Sequence, residues 1–232
     1  MPSTLLGTID AIVDLNHNNA IDMVKAAKNG IVAVIHKASE SASFKDPAYI
    51  KRRTAALNAG LLWGAYHFSS GRDVADQFNN FMAATDWEHL ADETTLLCLD
   101  FEKSSSGPPN MSLAQAHDFV TRVRNKTGRW PMVYGGDLIR DSLPAQSADD
   151  VLKNCPLWYA NYRDQPEGIP VKTWPNFTLW QYTDGNVGPE PHTVDGMGRT
   201  DRNCFRGTVD EFRKQWPFAD FHKTAVSNGS SA

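Results

Sequence analysis

The chain carries short apolar runs at nearly regular intervals, and the segments between the early ones repeat their apolar residues at helical spacing. Runs at Ile9–Leu15, Ile31–Lys37, Leu61–Phe68, Leu96–Glu102, Pro131–Tyr134, Pro156–Ala160 and Thr178–Tyr182 have the length and β-branched or aromatic content of strands. Helices are expected at Asn19–Asn29, which ends at Gly30, and from Asp46–Pro47 to Gly60. A third helix spans Arg72–Trp87, with Val74, Phe78 and Met82 on one side. Ser112 and Gln115 have capping-box spacing, and Gly128 closes the helix they start. Strand-helix alternation of this kind favours a parallel sheet with helices packed outside it. Residues 162–177 and 184–199 are rich in Pro, Gly and Asp, so strands there are joined by loops, before a last helix at Thr208–Trp216. Seven or eight parallel strands in about 215 residues predict a single modified β/α (TIM-like) barrel with fewer helices in its C-terminal half. The barrel domain is placed at residues 1–218, and 219–232 form a poorly ordered tail.

Composition narrows the class. With 41% hydrophobic and 22% charged residues, the 232-residue chain reads as an ordinary globular protein. No apolar run is long enough to insert in a membrane, and Met1–Asp10 lacks the pattern of a secretory signal. A net charge of −4 without a strong basic block argues against nucleic acid as partner. Cys98, Cys155 and Cys204 are too few for a disulfide scaffold, although one bridge is allowed. No phosphate-binding glycine loop and no nucleophile elbow occurs. A metal-dependent hydrolase would favour a close His pair, and none of the seven histidines forms His-x-His. No metal or cofactor is therefore expected.

The acids at strand ends carry the chemistry. In Leu96–Glu102, alternation puts Cys98, Asp100 and Glu102 on one face and Leu97, Leu99 and Phe101 on the other. If the apolar face meets the helices, both acids point into the barrel at its C-terminal rim, where parallel barrels hold their active sites. Two carboxyls so close repel one another, and one keeps its proton at a raised pKa, as a general acid requires. Asp14, ending the first strand, and Asp201, just before the last helix, are further candidates at that rim. Aromatic residues also gather at strand ends: Tyr66, Phe68, Tyr134, Trp158, Tyr159, Tyr162, Trp180 and Tyr182. Flat rings beside carboxylates suit the C–H faces of sugars, and a non-catalytic sugar-binding barrel would keep the rings without needing both acids. Lys37 and Glu40 serve either as a surface ion pair or as site residues. Cys98, one step deeper in the strand, reads as inert core.

Taken in order, Val13-Asp14-Leu15-Asn16-His17, Ile21-Asp22, His36-Lys37-Ala38-Ser39-Glu40, Asp46-Pro47, Gly64-Ala65-Tyr66-His67-Phe68, Ala75-Asp76-Gln77-Phe78, Leu99-Asp100-Phe101-Glu102, Trp158-Tyr159-Ala160, Leu179-Trp180-Gln181-Tyr182 and Asp201-Arg202-Asn203 resemble the family 25 glycoside hydrolases, the Chalaropsis-type lysozymes. The resemblance implies a modified β/α barrel that hydrolyses the β-1,4 bond between N-acetylmuramic acid and N-acetylglucosamine in peptidoglycan, with retention of configuration. It implies Glu102 as acid/base, with Asp14, Asp100 and Asp201 as acidic partners. The substrate would lie along Tyr66, Phe68, Lys37, Glu40, Tyr134, Trp180 and Tyr182, in an elongated acidic cleft open at both ends. The enzyme would be a monomer acting at the bacterial cell wall, its partner the peptidoglycan glycan chain. The chain departs from the family pattern at Asn16 (usually Ser), at Asn18-Asn19 after His17 (usually Gln) and at Ser41 (usually Gly).

Overall fold

A computed structural model describes residues 7–90, 92–103, 109–143 and 146–220. Eight strands close into a barrel: β1 (Thr8–Leu15), β2 (Ala33–Glu40), β4 (Leu62–Phe68), β5 (Leu96–Asp100), β6 (Met132–Gly135), β7 (Leu157–Ala160), β8 (Leu179–Thr183) and β11 (Asp201–Arg206). The two-residue strand β3 (Phe44–Lys45) folds back on the end of β2, and β9 (Thr193–Val194) pairs with β10 (Gly198–Arg199) outside the barrel. The helices are α1 (Met23–Lys28), α2 (Tyr49–Asn58), α3 (Val74–Thr85), α4 (Leu113–Thr127), α5 (Asp137–Ser142) and α6 (Val209–Gln215). No helix among the described residues is long and apolar enough to cross a membrane.

The barrel is not uniformly parallel. β11 runs antiparallel to both neighbours, β8 and β1, and closes the ring. The sequence reading missed this strand because Asp-Arg-Asn-Cys-Phe-Arg has no apolar run. Arg202 and Asn203 are nonetheless buried and hydrogen-bonded. Reversal has a consequence for the site: the first residues of β11, not its last, lie at the rim where the parallel strands end. Asp201 thereby pairs in register with Asp14.

Strand alternation sorts two apolar layers. Ile12, Ile35, Leu96, Cys98, Met132, Leu179 and Phe205 fill the interior. Val13, Val34, Leu97, Leu99, Phe101 and Val133 face outward, where Phe81 and Phe119 of α3 and α4 cover the barrel. Phe212, Trp216 and Phe218 plug the interior from below, and Trp216 Nε1 donates to the Thr94 carbonyl just before β5 at 2.8 Å. That end is closed, so access is left to the C-terminal rim. Helix starts follow local chemistry. Ser112 and Gln115 form the expected capping box on α4, and Thr208 with Glu211 forms another on α6. Asp46 does not cap α2. Its Oδ1 accepts from Ala48 N and its Oδ2 from His17 N, so it ties the hairpin region to the loop after β1. All three cysteines are free and buried. Of the tail expected at 219–232, all beyond residue 220 lies outside the described residues.

Candidate active site

Asp14, Asn16, Lys37, Tyr66, Phe68, Asp100, Glu102, Tyr134, Trp158 and Asp201 line one cavity of about 170 Å³ at the rim. Register explains the convergence. Phe68, Asp100, Tyr134 and Trp158 occupy one level across β4, β5, β6 and β7, while Tyr66 and Cys98 pair one level below. Tyr134 and Trp158 meet edge to face with ring centroids 4.6 Å apart.

The carboxyls are held in different ways. Asp14 is buried, and its Oδ2 accepts hydrogen bonds from Gln181 Nε2 at 2.9 Å and Asn203 Nδ2 at 2.8 Å. Those amides are themselves fixed by the aromatic wall. Trp158 Nε1 donates to Asn203 Oδ1 at 2.6 Å, and the hydroxyls of Tyr134 and Tyr162 both donate to Gln181 Oε1, at 2.7 and 2.9 Å. Burial raises the pKa of Asp14 while the two amide donors and Asp201 lower it. Asp201 is pushed up to about 9, by burial first and then by the charge of Asp14. Asp201 therefore holds its proton more tightly than an ordinary carboxyl, while the amide donors favour the charge on Asp14.

Asp100 and Glu102 are both raised. Burial is the main cause for each, and repulsion by Glu102 adds to it for Asp100, whose pKa rises well above the ordinary 3.8. Glu102 moves from 4.5 to about 7, by burial and the charge of Asp14, against the opposing pull of Lys37. Asp100 Oδ1 is buried and has no hydrogen-bond partner among the described residues. A buried acceptor left unsatisfied is costly, and here it borders the cavity.

Lys37 and Glu40 turn out to be both an ion pair and rim residues. Their Nζ–Oε2 distance is 2.8 Å, and the Lys37 ammonium stands 4.6 Å from the Phe68 ring centre. Trp180 and Tyr182 do not reach the cleft. Alternation along β8 turns Gln181 inward and puts both rings in the outer layer, where Trp180 Nε1 donates to Asn161 O and Tyr182 Oη to Asp10. The inward ring on this side is Trp158. Both faces of β8 are buried, so hydrophobicity could not decide which side faced the cleft; Gln181 between two aromatics was the available signal. The sequence motifs contain Gln181 and Asn203 without assigning them a role, and their roles emerge from the hydrogen bonds. Among the described residues no group of three or more His, Cys, Asp or Glu side chains is arranged to hold a metal ion.

A second cavity, of about 270 Å³, shares Glu102 with the first and is lined by Glu102, Lys103, Gly136, Asp137, Leu138, Ala160, Asn161 and Tyr162. Gly136 lets the backbones of β6 and β7 approach closely beside it, since a Cβ there would fall 2.6 Å from Ala160 O.

This geometry has counterparts. The family described as "Glycosyl hydrolases family 25" matches residues 13–190. The chain belongs to that family. It is 29% identical over 211 residues to Lysozyme M1 of Streptomyces globisporus, covering 85% of this chain and 68% of the relative. It is also 29% identical over 213 residues to the N,O-diacetylmuramidase of a Chalaropsis species, covering 86% and 94%. Among solved structures, a family 25 lysozyme from Aspergillus fumigatus superposes with a TM-score of 0.72 at 28% identity, covering 89% of this chain and 98% of its own. This family 25 protein is a glycoside hydrolase with a TIM-like barrel.

Proposed function

We propose that this family 25 enzyme is a 1,4-β-N-acetylmuramidase that cuts the N-acetylmuramic acid to N-acetylglucosamine bond of peptidoglycan at the bacterial cell wall, with retention. The observation that carries the reading is the Asp100–Glu102 pair. One carboxyl poised near pH 7 stands beside another that presents a buried, unpartnered acceptor to an aromatic-walled cavity. The names of the lysozyme and muramidase relatives support the choice of substrate.

Glu102 lies between the two cavities, so its proton is placed for the oxygen joining two sugars. Asp100 lines only the first. The sugar whose anomeric carbon reacts therefore occupies the first cavity, and the leaving sugar the second. The 2-acetamido group of the reacting sugar donates its N–H to Asp100 Oδ1, which favours the ionised Asp100, and that charge in turn keeps Glu102 protonated. The acetamido carbonyl oxygen attacks the anomeric carbon while Glu102 protonates the departing oxygen. Glu102, now ionised, takes a proton from the water that opens the cyclic intermediate. Two displacements on one carbon give retention. A direct attack by Asp100 gives the same outcome and is the second reading, since retention by that route needs only a close carboxyl pair.

The test is mass analysis of fragments released from purified peptidoglycan: muramic acid is expected at each new reducing end, and N-acetylglucosamine there refutes the reading. For the roles, Glu102→Gln is expected to lose nearly all turnover while still binding glycan, and Asp100→Asn almost as much. Asp14→Asn and Asp201→Asn should lose less. An inactive Asp14→Asn beside an active Glu102→Gln would make Asp14 the essential acid.

A further inference from the structure

Beyond the two cavities, the rim on the β1–β2 side carries a pair of exposed rings that the reaction does not use. Asn16 lines the first cavity, and His17 follows it. The His17 ring meets that of Phe44 with centroids 5.7 Å apart at 46°. Phe44 remains 40% exposed, the one aromatic ring among the exposed large apolar side chains of the described residues. It is held on the two-residue strand β3 in register with Glu40, whose carboxylate pairs with the cavity-lining Lys37. The platform is braced from behind. Asp46 Oδ2 accepts from the backbone N–H of His17 at 2.9 Å and lies 3.0 Å from its Nδ1, while Asn80 Nδ2 donates to the carbonyls of Ser41 and Phe44 at 3.0 and 2.9 Å. Two buried polar side chains thus fix an exposed ring pair at the edge of the cleft.

We infer that the His17–Phe44 pair is a distal sugar subsite, stacking a glycan residue on the non-reducing side of the reacting sugar. The inference rests on the muramidase reading, which sets the direction. The leaving sugar lies toward Gly136 and Asn161, so the chain on the other side of the reacting sugar leaves past Asn16 and over the two rings. Stacking is insensitive to the substituent at the sugar's 3-position, so either sugar of an alternating strand fits. The subsite supplies binding without chemistry and helps hold a polymer in place.

The experiment compares peptide-free, alternating glycan strands of four and eight sugars, measuring kcat/KM for each. In the wild-type enzyme the eight-sugar strand should be the better substrate. Phe44→Ala should lower the ratio of the two kcat/KM values by about fivefold, the equivalent of one aromatic contact of about 1 kcal/mol. Phe44→Tyr should restore it, because the ring alone is needed. A ratio unchanged in Phe44→Ala overturns the subsite while leaving the muramidase reading intact. A wild-type enzyme that cleaves neither strand overturns both. A loss that Phe44→Tyr does not restore assigns Phe44 a structural role and also overturns the subsite.

Discussion

Replacing Glu102 by Gln should make the protein more stable above about pH 4.5, with the full gain reached above about pH 7. Burial and the Asp14 charge lift the Glu102 carboxyl from 4.5 to about 7. The folded chain therefore keeps a proton that the unfolded chain has released between those values, and folding stability falls as pH rises through this window. Below about pH 4.5 both states are protonated and the residue costs nothing. Above about pH 7 the full cost of burying an ionised carboxylate is present. At about 1.4 kcal/mol per pH unit the ceiling is roughly 3 kcal/mol, and relaxation around the charge brings the expected gain to about 1–3 kcal/mol. For a chain of this length that corresponds to a rise in Tm of roughly 3–10 °C. Thermal unfolding of wild type and Glu102→Gln at pH 4 and pH 8 measures it directly, with turnover expected to fall at least about 10²-fold in the same variant. A Tm difference of equal size at both pH values, or none at pH 8, would show that Glu102 carries no burden from its site. The argument for its acid role would then lose its physical basis.

Two other predictions follow from the same geometry. Lys37 opposes the upward shifts of both Glu102 and Asp100, so Lys37→Met should move the alkaline limb of the kcat–pH profile upward from about pH 7; a downward move would contradict the electrostatic account. Trp180 is 3% exposed, packs on Phe177 and Tyr182, and donates to Asn161 O. Trp180→Ala should cost about 3–5 kcal/mol, seen as a lower Tm, with KM for short glycans little changed; a raised KM at unchanged Tm would return Trp180 to the cleft.

What the sequence by itself determined was local and periodic. Leu96–Glu102 fixed which of its residues share a face, and the apolar partners Leu97, Leu99 and Phe101 meant that Asp100 and Glu102 had to turn inward. The capping box at Ser112 was decided by three-residue spacing. The ordered set of motifs marked the family, because most of its motifs sit at strand ends that must meet at one rim. Tertiary structure decided what alternation leaves free. In β8, apolar residues lie on both faces, so only the closed ring determined that Gln181, and not Trp180 or Tyr182, faces the carboxyls. In β11, polar side chains hid the strand, since the burial of Arg202 and Asn203 is repaid by hydrogen bonds that include those to Asp10 and Asp14, 192 and 189 residues away in the chain. Its reversed direction, which no local pattern encodes, is what brings Asp201 beside Asp14. The charge states belong to the same class: Asp14, Asp100, Glu102 and Asp201 are ordinary carboxyls as residues, and their shifted pKa values exist only because closing the barrel removes water and sets the four within reach of one another.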